Sequence, residues 1–360
     1  MRIAFYAPLK PPDHPRPSGD RAMARQMIAA LRAAGHEVFL ASRLRSREAA
    51  GNAAAQGRIV SQARQEAAML AARLLEDPPD LWFTYHVYYK APDLIGPTIC
   101  EHLSIPYVVA EASHSARRLI GPHADFARAA LDAIARADGV LCLTARDRAG
   151  LEGLVAPEKL FDLTPFAPLR AGPRRGTGRL PRRLLAVGMM RPGDKLHSYR
   201  LLARSLAGVR HLPWRLTVVG DGAAARHVRQ AFAPYRGRVD FVGALASGRL
   251  AQVYRQHDLL VWPAVNEAYG MALIEASARG LPVIAGNEGG VSEVVRHGVN
   301  GLLTPPRDPV AFGRILAQVM TQRALYSRLR QRSWGHAGAR HGFAAAAARL
   351  NSILGRICAS

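Results

Sequence analysis

The segment Glu267-Ala-Tyr-Gly-Met-Ala-Leu-Ile-Glu275 places two carboxylates on either side of a glycine. It follows an apolar run, Leu259-Leu-Val-Trp-Pro263, and its spacing predicts a helix that opens near Gly270. A helix start offers free N–H groups and the positive end of the helix dipole, which suits a diphosphate. Gly270, Met271 and Ala272 would supply that backbone, and Gly270 brings no side chain to obstruct a phosphate. Glu275 lies just over one turn inside, and helical side chains lean toward the N-terminus, so its carboxylate can accept hydrogen bonds from vicinal hydroxyls such as those of a ribose. Glu267, in the loop before the helix, can do the same for another sugar. Taken alone, the pair would be read as a loop carboxylate and a solvated helix carboxylate.

The elements that must position these groups are legible as an alternation. Short apolar runs at Ile3–Ala7, Val38–Leu40, Leu81–Tyr85, Tyr107–Ala110 and Val140–Leu143 predict buried strands of a parallel sheet. Helical patterns such as Arg21–Ala34 and Phe126–Arg136 lie between them. The alternation stops at the Gly-, Pro- and Arg-rich stretch 171–183, which suits a linker. It restarts with runs at Leu184–Val187, Leu216–Val219, Val239–Val242, Leu259–Trp262 and Val283–Ala285. The expected organisation is therefore an α/β domain over 1–170, a second over 184–335, and a last helix over 336–360. Sites in such sheets lie beyond the C-terminal ends of the strands, in strand-to-helix loops.

A chain of 360 residues exceeds the size at which one core stops growing, which also predicts two domains. No apolar run approaches the roughly 18 residues that span a bilayer, and the apolar start Ile3–Ala7 is too short for a signal peptide. Cys100, Cys142 and Cys358 fit neither a disulfide framework nor a zinc site, so a cytoplasmic location is expected. The net charge of +22 is unevenly placed: residues 1–170 hold 21 Lys and Arg against 18 Asp and Glu, and residues 171–360 hold 28 against 9. A basic half attracts any anion, from nucleic acid to acidic lipid to phosphorylated small molecules. An Arg- and Ala-rich composition with only four lysines (Lys10, Lys90, Lys159 and Lys195) accounts for the excess equally well.

Several further segments appear in a recognisable order. They are Val187-Gly188 with Lys195 following, Val219-Gly-Asp-Gly222, Phe241-Val-Gly243, Asp258-Leu-Leu-Val-Trp-Pro263, the Glu267–Glu275 segment, and Gly289-Gly-Val-Ser-Glu-Val-Val295 followed by His297-Gly-Val-Asn-Gly-Leu-Leu303. The series resembles the retaining glycosyltransferase family 4, specifically over residues 184–310 and more loosely over 1–166. The resemblance implies an α/β chain of GT-B architecture, with two Rossmann-like doubly wound parallel-sheet domains facing a cleft. It implies transfer of a sugar from a nucleotide-diphosphate donor to a glycan, lipid-linked or small-molecule acceptor, with retention of configuration. Lys195 would be the cation that binds the donor diphosphate and stabilises charge on the leaving group. The family's arginine after the strand-ending glycine is replaced by Met189, and Arg191 stands two residues on, either supplying that guanidinium or solvated.

By the same resemblance, Gly289 and Gly290 would belong to a loop that closes over the donor, whereas Gly220, Asp221 and Gly222 read as a tight turn. Pro17-Ser-Gly-Asp20 resembles the family's glycine loop, so Gly19 would meet donor or acceptor; Ser18 or Asp20 equally suits a helix cap. An active-site histidine commonly follows a strand of the first domain, and His86 and His114 both stand in such places. No Asp-x-Asp pair and no His/Cys cluster at ligand spacing occurs, so no metal and no cofactor is expected. After Asp308 the sequence has no acidic residue and eight arginines. Those arginines would either hold the enzyme on anionic lipid as a peripheral protein or form a solvated Arg-rich face. The rival readings are a sugar phosphorylase or nucleotide-sugar epimerase of the same architecture, and a basic nucleic-acid-binding protein, for which no recognised motif is present. A NAD enzyme is disfavoured because no Gly-x-Gly-x-x-Gly follows the first strand.

Overall fold

The structure, a computed structural model, describes residues 1–16, 18–168 and 179–359. Pro17 and residues 171–178 of the expected linker lie outside the described residues. The chain divides into two compact units, Met1–Thr164 with Phe343–Ser360, and Pro165–Gly342. Residues 336–342, expected with the last helix, thus belong to the second unit. They continue a helix whose Ala337 and His341 are buried, and the His341 ring donates from Nδ1 to the carbonyl of Pro165 at 2.7 Å.

In the first unit the elements run β1 (Arg2–Tyr6), α1 (Gly19–Ala33), β2 (Glu37–Leu40), α2 (Ala53–Glu76), β3 (Leu81–Val87), α3 (Gly96–Leu103), β4 (Tyr107–Ala112), α4 (Ala124–Ala135), β5 (Gly139–Cys142), α5 (Ala145–Ala149) and β6 (Leu160–Asp162). The strands form one six-stranded sheet in the order β2-β1-β3-β4-β5-β6, and every pairing is parallel. Ile3, Ala4, Phe5 and Tyr6 are fully buried because helices cover both faces, which is why the strand reads as an unbroken apolar run. Ser18 caps α1 by accepting from the Arg21 N–H at 3.2 Å, and Asn52 caps α2 in the same way through Ala55. Buried Asp93 is tied up structurally: it accepts from Thr84, from the Tyr107 hydroxyl at 2.9 Å, and from the N–H groups of Ile95 and Gly96.

The second unit repeats the plan with β7 (Arg183–Val187), α6 (Asp194–Ser205), β8 (Arg215–Val219), α7 (Ala225–Ala231), β9 (Val239–Phe241), α8 (Ser247–Gln256), β10 (Leu259–Trp262), α9 (Met271–Ser277), β11 (Val283–Gly286), α10 (Val291–Val294), β12 (Gly301–Thr304), α11 (Pro309–Thr321) and α12 (Arg323–His341). Its six-stranded parallel sheet has the order β12-β11-β10-β7-β8-β9, the Rossmann order, which reverses direction between β7 and β10. At the ends of β7 and β8 the backbones nearly touch: a Cβ on Gly220 would lie 1.9 Å from the Gly188 carbonyl oxygen. Gly220 and Gly222 therefore permit close packing on the backbone of Gly188 and Met190, rather than forming the tight turn expected of them. Asp308 caps α11 through Val310 and Ala311, with Pro309 at its first position.

The final helix, α13 (Phe343–Ile357), packs against α1 in the first unit. The arginines after Asp308 are consequently split, with Arg314, Arg323, Arg328, Arg330, Arg332 and Arg340 in the second unit and Arg349 and Arg356 in the first. No described helix is long and apolar enough to cross a membrane.

Candidate active site

In the second unit, the strands that flank the reversal of the sheet deliver the two charged groups singled out in the sequence. Lys195 stands in the first turn of α6, after β7, and Glu267 stands in the loop after β10. Their side chains meet, with Lys195 Nζ donating to Glu267 Oε2 at 2.5 Å. The same oxygen accepts from the Trp262 indole N–H at 2.9 Å, and the ammonium lies 5.4 Å from the centre of that indole ring. Trp262 is in turn held edge-on by Tyr199, whose hydroxyl donates to the Gly188 carbonyl at 2.6 Å. Glu267 is mostly buried, at 14% side-chain exposure, while Lys195 keeps 28%. A cation and an anion are thus presented together at the place where such sheets bind ligands.

The loop that carries Glu267 is tightly specified. Ala264 and Asn266 adopt left-handed backbone conformations, with φ of 57° and 46°. The Val265 N–H donates to Ser198 Oγ at 3.0 Å, and Asn266 Nδ2 donates to Asp194 at 3.0 Å, so both tie the loop to α6. Gly289 closes the other side: a Cβ there would lie 1.9 Å from the Glu267 carbonyl oxygen, and the Gly290 N–H donates to that oxygen at 3.2 Å. In this structure the Gly289-Gly290 loop supports Glu267 through its backbone.

Gly270 precedes α9, and Met271 and Ala272 open it, as the spacing predicted; the helix runs for two turns, to Ser277. Glu275 is directed toward α8, where Tyr254 donates its hydroxyl to Glu275 Oε2 at 3.0 Å. Burial pushes the Glu275 carboxyl above its usual range, against the pull of the Tyr254 hydroxyl and the Arg279 guanidinium. Arg191 is exposed, and its guanidinium rests 3.0 Å from the Met189 sulfur in the loop between β7 and α6. Tyr254 and Trp262 were not identified as site residues from the sequence. Tyr254 lies in a helix without a motif, and Trp262 was visible only as the end of an apolar strand.

In the first unit the sheet reverses between β1 and β3, and a second polar group gathers at that end. His86, near the end of β3 with φ of 68°, brings Nδ1 to 3.5 Å from Asp20 and 3.7 Å from Glu111. Glu111, also left-handed at φ of 58°, accepts from the Tyr85 hydroxyl at 2.7 Å. Burial raises the Glu111 carboxyl and likewise that of Asp147, which accepts from Thr144. Two non-glycine residues in left-handed conformations side by side mark a place where function can hold strain. Ser18 is the cap of α1, and Asp20 faces His86 instead. A Cβ on Gly19 would meet nothing within 4 Å. His114 is half-buried beyond β4, with no hydrogen bond or ion pair to this group among the described residues.

Residues 181–322 match the family model of the glycosyl transferases group 1. The D-inositol 3-phosphate glycosyltransferase of Thermobispora bispora is 39% identical over 104 residues, which make up 29% of this chain and 24% of that protein. An exopolysaccharide phosphotransferase of Streptomyces coelicolor is 31% identical over 198 residues, 52% of this chain and 20% of its own length. The matches thus span about a quarter of the curated relatives' length. Among solved structures, Anabaena HepE in complex with UDP superimposes with a TM-score of 0.76 at 16% identity, over 99% of this chain and 100% of that one. The two parallel sheets and this likeness define a two-domain α/β protein of the GT-B fold.

Proposed function

We propose that the protein is a glycosyltransferase that moves a sugar from a nucleotide-diphosphate donor to a carbohydrate or lipid-linked acceptor. The observation that carries this reading is the Lys195–Glu267 pair, held on Trp262 at the reversal of the second sheet. During transfer the bond from the anomeric carbon to the diphosphate breaks and a bond to an acceptor oxygen forms. Negative charge then grows on the leaving phosphate, and the Lys195 ammonium would meet it, aided by Arg191 and by the backbone at Gly270, Met271 and Ala272. Glu267 would take hydroxyls of the transferred sugar, and Glu275, steadied by Tyr254, those of the ribose.

The first unit would receive the acceptor at His86, with Gly19 leaving room for a ligand's close approach. His114 is the less favoured histidine because it stands apart from the Asp20–Glu111 group. Retention of configuration and independence of divalent metal belong to the same proposal, with Lys195 in the cation's role. Anabaena HepE has been solved with UDP and with UDP-glucose, which makes UDP-sugars the first donors to try. A thermal-shift panel of UDP-, GDP- and ADP-sugars reads donor binding, since a bound donor raises stability by mass action. Assay of transfer against phosphorolysis and epimerisation then separates the reaction classes. Failure of every nucleotide sugar to shift the protein would refute the proposal.

A further inference from the structure

The basic excess of the second unit is concentrated away from Lys195. Between Arg200 and Phe241 the sequence has eight arginines and two aspartates. The structure gathers most of these around α7, where two cavities of about 440 Å³ each lie side by side. The first is lined by Arg200 and Arg204 from α6 and by His227 from α7. The second is lined by Arg226, Arg229 and Arg236. Gln230 and Tyr235 line both, so the two grooves are neighbours around the helix. No carboxylate lines either one. Arg229 stacks on the Phe241 ring at 4.7 Å, while Arg200, Arg204, Arg226 and Arg236 are exposed and carry no side-chain ion pair or hydrogen bond among the described residues.

Guanidinium groups crowded without counter-ions repel one another and raise the local potential, and an anion with several charges relieves both effects. Their planar forks match carboxylate and phosphate oxygens. Arg200 and Arg204 stand five and nine positions beyond Lys195 on α6, or roughly 7 and 13 Å along the helix, so the groove begins more than one turn past the proposed donor site.

We propose that this face of the second unit binds an acidic oligosaccharide, whose chain wraps α7 and places charged groups in both grooves. Two neighbouring concave grooves lined by guanidinium groups suit a single flexible chain with spaced anionic groups. Of the aromatic rings in the grooves, Phe232 and Tyr235 are only 2% and 7% exposed, and the half-buried Phe241 ring already carries the Arg229 guanidinium, which disfavours stacking of single-stranded nucleic acid. The grooves also carry no exposed large apolar side chain to anchor a bilayer. Only the choice of a sugar chain rests on the transferase reading, as an acidic glycan acceptor or product; the anion site itself does not.

The test is fluorescence anisotropy with labelled oligogalacturonate and a neutral maltooligosaccharide of equal length. It compares the full-length protein with a double variant, Arg204→Gln with Arg226→Gln, and a parallel thermal shift with UDP-glucose checks the donor site. The expected result is binding of the acidic chain only, weakened by salt and reduced about tenfold or more in the variant, with any UDP-glucose shift unchanged. Absence of binding at low salt, or equal binding by wild type and variant, would overturn the proposal. So would labelled DNA or phosphatidylglycerol vesicles that bind through these arginines while oligogalacturonate does not. Arginine-dependent binding of the acidic chain without any nucleotide-sugar shift supports the anion site and refutes the transferase reading alone.

Discussion

Lys195 and Glu267 are 72 positions apart in sequence, and their side chains meet at 2.5 Å. The ammonium is held by a carboxylate that also accepts from Trp262, so under the proposed function an incoming diphosphate would compete with Glu267 for Lys195. Lys195→Ala is expected to lower kcat by about 100- to 1000-fold, the scale of losing one preorganised charge donor. Glu267→Gln removes the competing charge. It should depress turnover while UDP affinity holds or rises. Steady-state kinetics with UDP inhibition constants decide both; wild-type-like turnover in folded Lys195→Ala would count against its assigned role.

Glu275 yields a pH prediction. Burial raises its carboxyl above the usual range, so it takes up a proton at a higher pH than an ordinary glutamate. If the carboxylate accepts ribose hydroxyls, UDP-sugar affinity falls as pH is lowered, starting above the ordinary glutamate value of about 4.3. Glu275→Gln should abolish that limb and weaken binding by about 1–3 kcal/mol. Tyr254→Phe removes the hydroxyl that favours the charged form and should move the limb to higher pH. Titration calorimetry across the acid range measures each, and a wild-type affinity flat in pH would refute the assignment.

Two glycines should respond differently to alanine. At Gly289 the added Cβ would lie 1.9 Å from the Glu267 carbonyl oxygen, and φ is 68°. Gly289→Ala is therefore expected to destabilise by about 1–3 kcal/mol and to impair turnover through displaced Glu267. At Gly19 the Cβ meets nothing within 4 Å, so Gly19→Ala should fold normally and lose activity only if a ligand needs that space. Denaturant melts alongside activity assays separate the two cases.

His341 is fully buried, and its pKa is pushed down to about 4, chiefly by burial. Its Nδ1–H donates to Pro165, and Nε2 has no partner among the described residues. Because the folded value lies below the unfolded value of about 6.5, the unfolded chain binds the proton first. The stabilisation is complete above pH about 6.5 and declines as pH falls toward 4, by about 3 kcal/mol in all. Urea melts of wild type and His341→Leu at pH 7.5 and 4.5 test this: the variant should show the smaller pH dependence, and equal slopes would exclude the histidine as the cause.

The proposed metal independence has a direct check. Stripping divalent ions and adding EDTA should leave transfer nearly unchanged, because Lys195 supplies the positive charge. Abolition by chelator with rescue by Mn²⁺ or Mg²⁺ would contradict it.

The sequence by itself determined what is local. Buried parallel strands are apolar on both faces, so the runs Ile3–Tyr6 of β1, Tyr107–Ala110 of β4 and Leu259–Trp262 of β10 announce themselves, and the glycine between Glu267 and Glu275 marks the start of α9. The edge strands β6 and β12 do not stand out, because each contains only two consecutive apolar residues. Only the tertiary structure decided which distant groups meet. Strand order set Lys195 on Glu267, Tyr254 on Glu275, and Asp20 and Glu111 around His86. Pairing across a sheet depends on chain crossings that no window of sequence spans, whereas turns, caps and apolar periodicity act within a few residues.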